Sequence, residues 1–266
     1  VAWGSDLLVN AVRTPLHRAR ARYVLERADR VHVDAAVLAR AACRLGAPRG
    51  RVWERPWGVD VDAFVPSASW EARRARSPEL RLLWTRRLEP LYDPGTLLEA
   101  LALLRQRGVP FRATIAGDGP LRAALAATAE RHDIAGAVRF TGWLEPEALR
   151  DLHREHEVYV SLSRSDSTSQ SLLEAMAAEL LPVVTDIEGN REWITHREEG
   201  LLVPVGDAEA VAAAITEIAR GPMPATEHGA RYAAMAARAR AVAARRARFA
   251  DTVAATEALL QEIASP

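Results

Sequence analysis

Two acids with seven residues between them, Asp166 and Glu174, and the hydroxyl side chains around them carry most of the chemical content of this 266-residue chain. The stretch reads Ser163-Arg-Ser-Asp-Ser-Thr-Ser-Gln-Ser-Leu-Leu-Glu174 and continues Ala175-Met-Ala177. It follows an apolar run, Val158-Tyr-Val-Ser-Leu162, which reads as a buried strand. Its second half is a good helix sequence. The frame is therefore strand, polar loop, helix N-terminus. Such an N-terminus presents unpaired N–H groups and the positive end of the helix dipole, which suits a phosphate. Glu174 lies about one turn inside the helix, and helical side chains tilt back toward the N-terminus. It can point at whatever the loop holds. Taken alone, the stretch reads slightly better as an N-cap cluster with a surface Glu, so the rest of the chain has to decide.

The basic residues narrow the chemistry. All 35 are arginine, with no lysine in the sequence. That excludes a pyridoxal-phosphate Schiff base, a lysine nucleophile and a Walker-type phosphate lysine. Any phosphate is left to arginine, helix N-termini or hydroxyls. Net charge is zero, so there is no broad basic footprint for nucleic acid. A single cysteine, Cys43, allows neither a disulfide framework nor a cysteine zinc site. The seven histidines have no metal-ligand spacing, so no metal is expected. No apolar run approaches the roughly 18 residues of a membrane span.

The elements that must position these residues follow a regular series. Strand-like runs begin at Leu80, Phe111, Val138, Val158, Pro182 and Leu201, each followed by a helical pattern. The helix over 94–106 places Leu97, Leu98, Leu101 and Leu104 on one face. Six such units predict an α/β, doubly wound, Rossmann-like sheet. Helices are also expected over 121–131, 146–156, 190–195 and 208–220, and one Ala/Arg-rich helical stretch over 231–263. Before residue 56 the chain alternates a turn at Gly4-Ser-Asp6 after Val1-Ala-Trp3, a helix over 16–28, a strand over 31–33, a helix over 35–45 and a strand over 51–53. That is too short for a whole domain of this kind and reads as the back part of one. Pro and Gly punctuate a linker from Pro56 to Pro66.

In open parallel sheets ligands bind beyond the carboxyl ends of the strands. The unusual residues fall there: Thr85-Arg-Arg-Leu-Glu-Pro-Leu-Tyr92, Gly117-Asp-Gly-Pro120, Gly142-Trp143, the 163–174 stretch and Asp186-Ile-Glu-Gly-Asn-Arg-Glu192. Each has an ordinary structural reading, but five on one rim favour a binding cleft. No Gly-x-Gly-x-x-Gly fingerprint is present, which argues against a dinucleotide.

Together these residues resemble the retaining glycosyltransferases of family 4, with the GT-B fold. The resemblance is carried by Trp3-Gly-Ser-Asp6, Pro56-Trp-Gly-Val-Asp60 with Phe64 and Pro66, Ala116-Gly-Asp-Gly-Pro120, Leu173-Glu-Ala-Met-Ala177, Pro182-Val-Val-Thr-Asp186, Gly189-Asn-Arg-Glu192 and Gly200-Leu-Leu-Val-Pro204. It implies a partial N-terminal, acceptor-side domain over 1–56 and an interdomain linker over 57–66. A complete nucleotide-sugar-binding domain would span 67–228, and a helical segment over 229–266 would pack back toward the N-terminal part. It also implies metal-independent transfer from a nucleotide-diphosphate sugar to an acceptor hydroxyl, with no cofactor. Asp166 would meet the donor sugar and Glu174 the ribose, since carboxylates accept hydrogen bonds from hydroxyls. Backbone N–H groups near Ser169, Gln170 and Ser171 would hold the diphosphate, with Ser167 and Thr168 in the same loop. Arg87 would be the phosphate arginine, Arg86 and Gly117 would join the donor site, and Gly142 and Trp143 would border the base. Three departures stand out: the family's usual first Glu is Asp166, its loop glycines fall on Ser167 and Ser169, and its phosphate lysine falls on Tyr92. The resemblance further implies a cytoplasmic protein, with the membrane's inner face as a partner to test through the Arg-rich helix near His17, Arg18, Arg20 and Arg22; a solvated face is the simpler reading of that helix. The alternatives are a nucleotide-binding fragment without turnover and a sugar-nucleotide epimerase of the same fold.

Overall fold

The computed structural model describes residue 2, residues 4–219 and residues 227–264. Val1, Trp3 and Arg220, which entered the expectations above, lie outside the described residues. The chain opens with a π-helical segment, Ser5–Asn10, that runs into α1 (Ala11–Arg13). The turn expected at Gly4-Ser-Asp6 is thus the start of a helix. Next come α2 (Pro15–Arg27), β1 (Val31–Val33), α3 (Ala36–Arg44) and β2 (Val52–Glu54). Thr14 caps α2 by accepting a hydrogen bond from His17 N–H at 3.2 Å, and Pro15 at the first helical position needs no donor. β1 and β2 pair in parallel, with Val31 opposite Val52.

The larger unit holds α4 (Trp70–Arg74), β3 (Leu80–Trp84), α5 (Pro94–Gln106), β4 (Phe111–Ala116), α6 (Arg122–Arg131), β5 (Val138–Gly142), α7 (Pro146–Glu155), β6 (Val158–Ser161), α8 (Gln170–Ala177), β7 (Leu181–Thr185), α9 (Glu188–Arg191), β8 (Leu201–Val203) and α10 (Ala208–Ala219). Two further helices close the chain, α11 (Glu227–Arg246) and α12 (Phe249–Ala264). The six strands β3 to β8 form one wholly parallel sheet in the order β5-β4-β3-β6-β7-β8. This is the doubly wound order, and its direction of progress reverses between β3 and β6. Strand side chains alternate between two cores. Leu82, Trp84, Val158, Val160 and Val183 face one core with Leu97, Leu98, Leu101 and Leu104 of α5. Leu83, Tyr159 and Val184 face the other with Leu172, Leu173 and Met176 of α8. Burial on both faces explains why the strands read as continuous apolar runs.

Two expected helices differ by more than an end residue. The short helix after β7 covers 188–191 rather than 190–195. The 231–263 stretch is two helices, broken at Ala247 and Arg248. The break has a tertiary cause: Val59 N–H donates to Ala247 O at 2.6 Å, and Phe249 N–H donates to Val59 O at 3.0 Å. The linker and the α11–α12 joint are thereby tied together as a parallel bridge. The expected amphipathic packing is present in α11, where Tyr232, Met235, Ala236, Ala239 and Ala243 are fully buried. α12 lies against the linker, with Thr252 Oγ1 donating to Pro56 O at 3.0 Å.

Two arginines, Arg73 buried and Arg240 partly buried, fix the orientation of α8. Arg73, with no exposed surface, donates to the carbonyls of Ala178 and Glu179, and Arg240 donates to those of Phe64 and Ala177. These bonds satisfy the carbonyls at the C-terminal end of α8, which otherwise lack partners, and aim its N-terminus at the rim.

Gly58 sits at φ +83°, and a Cβ there would meet Phe249 Cα at 2.8 Å. Gly58→Ala is therefore expected to destabilise the fold by more than about 1 kcal/mol. Gly95→Ala, in α5 with open space around it, is expected to be neutral or stabilising by up to about 1 kcal/mol. Urea unfolding midpoints of the two variants check both signs.

Candidate active site

The loops leaving β3 and β6 flank the point where strand order reverses, and their side chains meet there. Arg86, from the first loop, reaches across to the second. Its guanidinium donates to Asp166 Oδ2 at 2.6 Å, to Ser169 Oγ at 2.7 Å and to Ser171 Oγ at 3.1 Å. It also lies over the Tyr92 ring, 4.3 Å from the centroid. Below it Tyr159 O–H donates to Ser171 Oγ at 2.8 Å. Burial works against the Arg86 charge, but Asp166, together with the Tyr159 and Tyr92 hydroxyls, more than offsets it and the guanidinium pKa is raised.

Ser169 is the N-cap of α8 and accepts from Leu172 N–H at 3.3 Å. The capping role and the arginine contact coexist on one hydroxyl. Glu174, one turn further in, is pushed up to about 7 by burial, which Arg86 and Gln170 only partly offset. A buried carboxyl resists ionisation because its charge has lost water.

Two clefts adjoin this centre and share Arg86, Tyr92 and Gln170. The smaller, of about 280 Å³, is walled by Glu174, Arg87, Gly117 and Trp143. Trp143 is 78% exposed at its mouth. The larger, of about 390 Å³, is walled by Asp166, Ser167 and Thr168 on one side and by Asp34 and Trp57 on the other. Gly117 must be glycine on steric grounds, since a Cβ would lie 2.4 Å from Arg86 O. Gly142, at φ +74°, ends β5 and turns the chain toward Trp143.

Not every predicted residue faces a cleft through its polar group. Arg87 is largely exposed and pairs with Glu89 at 2.7 Å. Ser167 and Thr168 point toward the N-terminal part, and Gln170 toward the linker. Ser167 Oγ donates to Asp34 Oδ2 at 3.1 Å, Thr168 Oγ1 to Asp34 O at 2.7 Å and Gln170 Nε2 to Gly58 O at 2.9 Å.

Sequence reading missed Asp34 and the role of Glu192. Asp34 follows β1 directly and is buried. Burial, with Asp166 adding to it and Ser167 opposing, pushes its carboxyl up to about 6. Its only local signal, an acid between an apolar strand and a helix, is also that of an ordinary cap. Glu192 spans from the α9 region to α3 and accepts from Ala36 N–H at 3.0 Å and Val37 N–H at 2.9 Å. A carboxylate at a helix N-terminus is favourable.

A family model described as glycosyl transferases group 1 matches residues 70–241. The chain belongs to that family. Among curated relatives, it is 30% identical over 183 residues to the amylovoran biosynthesis glycosyltransferase AmsK of Erwinia amylovora, covering 66% of this chain and 44% of AmsK. It is 31% identical over 204 residues to a GDP-mannose-dependent alpha-mannosyltransferase of Mycolicibacterium smegmatis, covering 74% of this chain and 50% of that protein. The chain spans about half the length of the curated relatives it matches. Among solved structures, sucrose-phosphate synthase of Thermosynechococcus elongatus superposes with a TM-score of 0.83 at 20% identity, covering 98% of this chain and 66% of that one. Anabaena HepE in complex with UDP gives 0.81 at 18% identity, covering 97% and 70%. The fold is the GT-B type.

Glu174 and Asp34 both have raised native pKa values, so the folded state holds protons that the unfolded chain releases at lower pH. The stabilising contribution of Glu174 is present below about pH 4.5 and is lost as pH rises through about 7, and that of Asp34 is present below about pH 3.8 and lost through about 6. Glu174→Gln is expected to gain on the wild type, on the order of 2 kcal/mol, above that range relative to below it. Urea unfolding at the two pH extremes measures the difference.

Proposed function

We propose that this chain carries out retaining transfer of a sugar from a nucleotide-diphosphate sugar to an acceptor hydroxyl, without a metal cofactor. The observation that carries the reading is the pair of clefts sharing Arg86, Tyr92 and Gln170. This layout supports a donor lying across both. The nucleoside lies beside Glu174, whose carboxylate accepts from ribose hydroxyls, and Trp143 offers a flat face to the base. The diphosphate lies over Arg86 and the N-terminus of α8. The sugar lies beside Asp166. The names of similar proteins support the donor class: HepE was solved with UDP and with UDP-glucose, and the mannosyltransferase relative is named as GDP-mannose-dependent.

In this reading the bond from the anomeric carbon to the diphosphate oxygen breaks, and a bond to the acceptor oxygen forms on the same face. The acceptor proton leaves with the diphosphate. Arg86 stabilises the charge that grows on the leaving oxygen, the kind of electrostatic contribution that dominates such steps. Arg87 can join it by leaving Glu89, because an exposed ion pair of that kind holds weakly. The acceptor is a hydroxyl of a glycan, lipid or small molecule, and the setting is the cytoplasm. Among the described residues no helix is long and apolar enough to cross a membrane. A peripheral contact of the basic α2 face with an anionic membrane is part of the proposal, and vesicle flotation tests it.

The test is a calorimetric and transfer screen of UDP-, GDP- and ADP-sugars, with the anomeric configuration of any product read by NMR. The expected outcome is one preferred donor, a retained anomer and a loss of donor affinity of at least about tenfold in Glu174→Ala. An inverted product would refute retention. Binding with no transfer would reduce the chain to a nucleotide-binding unit.

A further inference from the structure

Asp34 has a feature that the proposed donor site leaves unused. It is 94% withdrawn from solvent, at 6% exposure, and it stands where β1 ends, on the wall of the larger cleft. Its two carboxylate oxygens have different fates. Oδ2 accepts from Ser167 Oγ at 3.1 Å, and the Asp34 main-chain carbonyl accepts from Thr168 Oγ1 at 2.7 Å. Oδ1 is buried and makes no hydrogen bond of full geometry, although the backbone N–H groups of Asp34 and Thr168 lie near the carboxylate and oppose part of its upward shift. The N–H groups of α3 that could have turned to it, those of Ala36 and Val37, are taken by Glu192. A buried carboxylate oxygen left without a donor is costly, and such orphans call for an explanation.

The surroundings supply one. Across the same cleft stand Asp166 and Arg86, and Trp57 lines its floor beside His32, with ring centroids 4.6 Å apart. A cleft that combines two carboxylates with an aromatic face suits a polyhydroxylated ring, whose hydroxyls donate to acids and whose C–H face packs on an aromatic. We propose that Asp34 Oδ1 is a sugar-recognition point on the N-terminal side of the cleft, accepting a hydrogen bond from a hydroxyl of the donor's sugar. This rests on the reading of the cleft as a nucleotide-sugar site. Ser167 holds the carboxylate through Oδ2 and Thr168 holds the main-chain carbonyl of the same residue, so the sugar is read jointly by the two parts of the chain. A site built to bond a hydroxyl rejects analogues lacking it, because its buried acceptor is then left unpaired.

The test compares the wild-type chain with Asp34→Asn and Asp34→Ala by calorimetry, using UDP and UDP-glucose, GDP and GDP-mannose, and monodeoxy forms of whichever sugar nucleotide binds. The expected result has three parts. Both variants bind the free nucleoside diphosphate as the wild type does. They bind the intact sugar nucleotide at least about tenfold more weakly. For one deoxy position the wild type pays a similar loss that the variants do not add to. Asp34→Asn keeps an oxygen that can accept from Ser167, so it remains informative if the alanine variant fails to fold. Unchanged sugar-nucleotide affinity in Asp34→Asn would overturn the inference while leaving the donor reading intact. Equal losses for nucleoside diphosphate and sugar nucleotide would also overturn it, since that pattern means general loosening of the loop. A wild-type chain that binds none of the four nucleotides would overturn both readings together.

Discussion

One largely withdrawn cation organises the rim of this sheet. Arg86 leaves β3, crosses the point where strand order reverses, and ends against Asp166, Ser169 and Ser171 on the β6 side. A guanidinium in so little water is stable only when paired and hydrogen-bonded, and removing one partner of such a pair costs roughly 3–5 kcal/mol. The arrangement therefore sets the shape of both loops. It also puts a fixed positive charge beside the N-terminus of α8, whose own dipole has the same sign. Two positive features held that close suit an anion, and Asp166 is the only carboxylate hydrogen-bonded to Arg86 among the described residues.

The rest of the structure aims this centre. Arg73 and Arg240 bond the far end of α8, and Tyr159 supports Ser171 from within the core. The close packing of Gly189, where a Cβ would lie 2.2 Å from Ser167 O, presses the β7 loop against the back of the 166–168 segment. On the other side Asp34, Glu192 and Gln170 tie that segment and its neighbours to the N-terminal part and the linker. The larger cleft lies between surfaces joined by these hydrogen bonds.

Much of this was legible from residue types, and the parts that were not have definable causes. Strands buried on both faces leave short apolar runs, so Val158 to Leu162 and Pro182 to Thr185 announced themselves, and the spacing of Leu97, Leu98, Leu101 and Leu104 announced α5. Positions at strand ends marked the rim. Sequence could not choose between Arg86 and Arg87. Adjacent residues leaving a strand point to opposite sides, and here Arg86 turns inward while Arg87 pairs with Glu89 in solvent. The resemblance to family 4 had singled out Arg87 and noted that Tyr92 replaces a lysine. The geometry adds that Tyr92 lies under the Arg86 guanidinium, so a positive charge stands next to that position after all. The break between α11 and α12 was invisible because its partner, Val59, lies far back in the chain. Asp34 was missed for the same reason: its neighbours at 166–168 are distant in sequence.

The central claim is that Arg86 holds the diphosphate of a nucleotide donor, and calorimetry with and without phosphates tests it most directly. Whichever of UDP, GDP or ADP binds should be compared with its parent nucleoside, in the wild-type chain and in Arg86→Ala. The account predicts that the variant loses at least about tenfold in affinity for the nucleoside diphosphate and little for the nucleoside, because only the phosphates meet the guanidinium. Equal losses for both ligands, or no loss for the diphosphate, would contradict it.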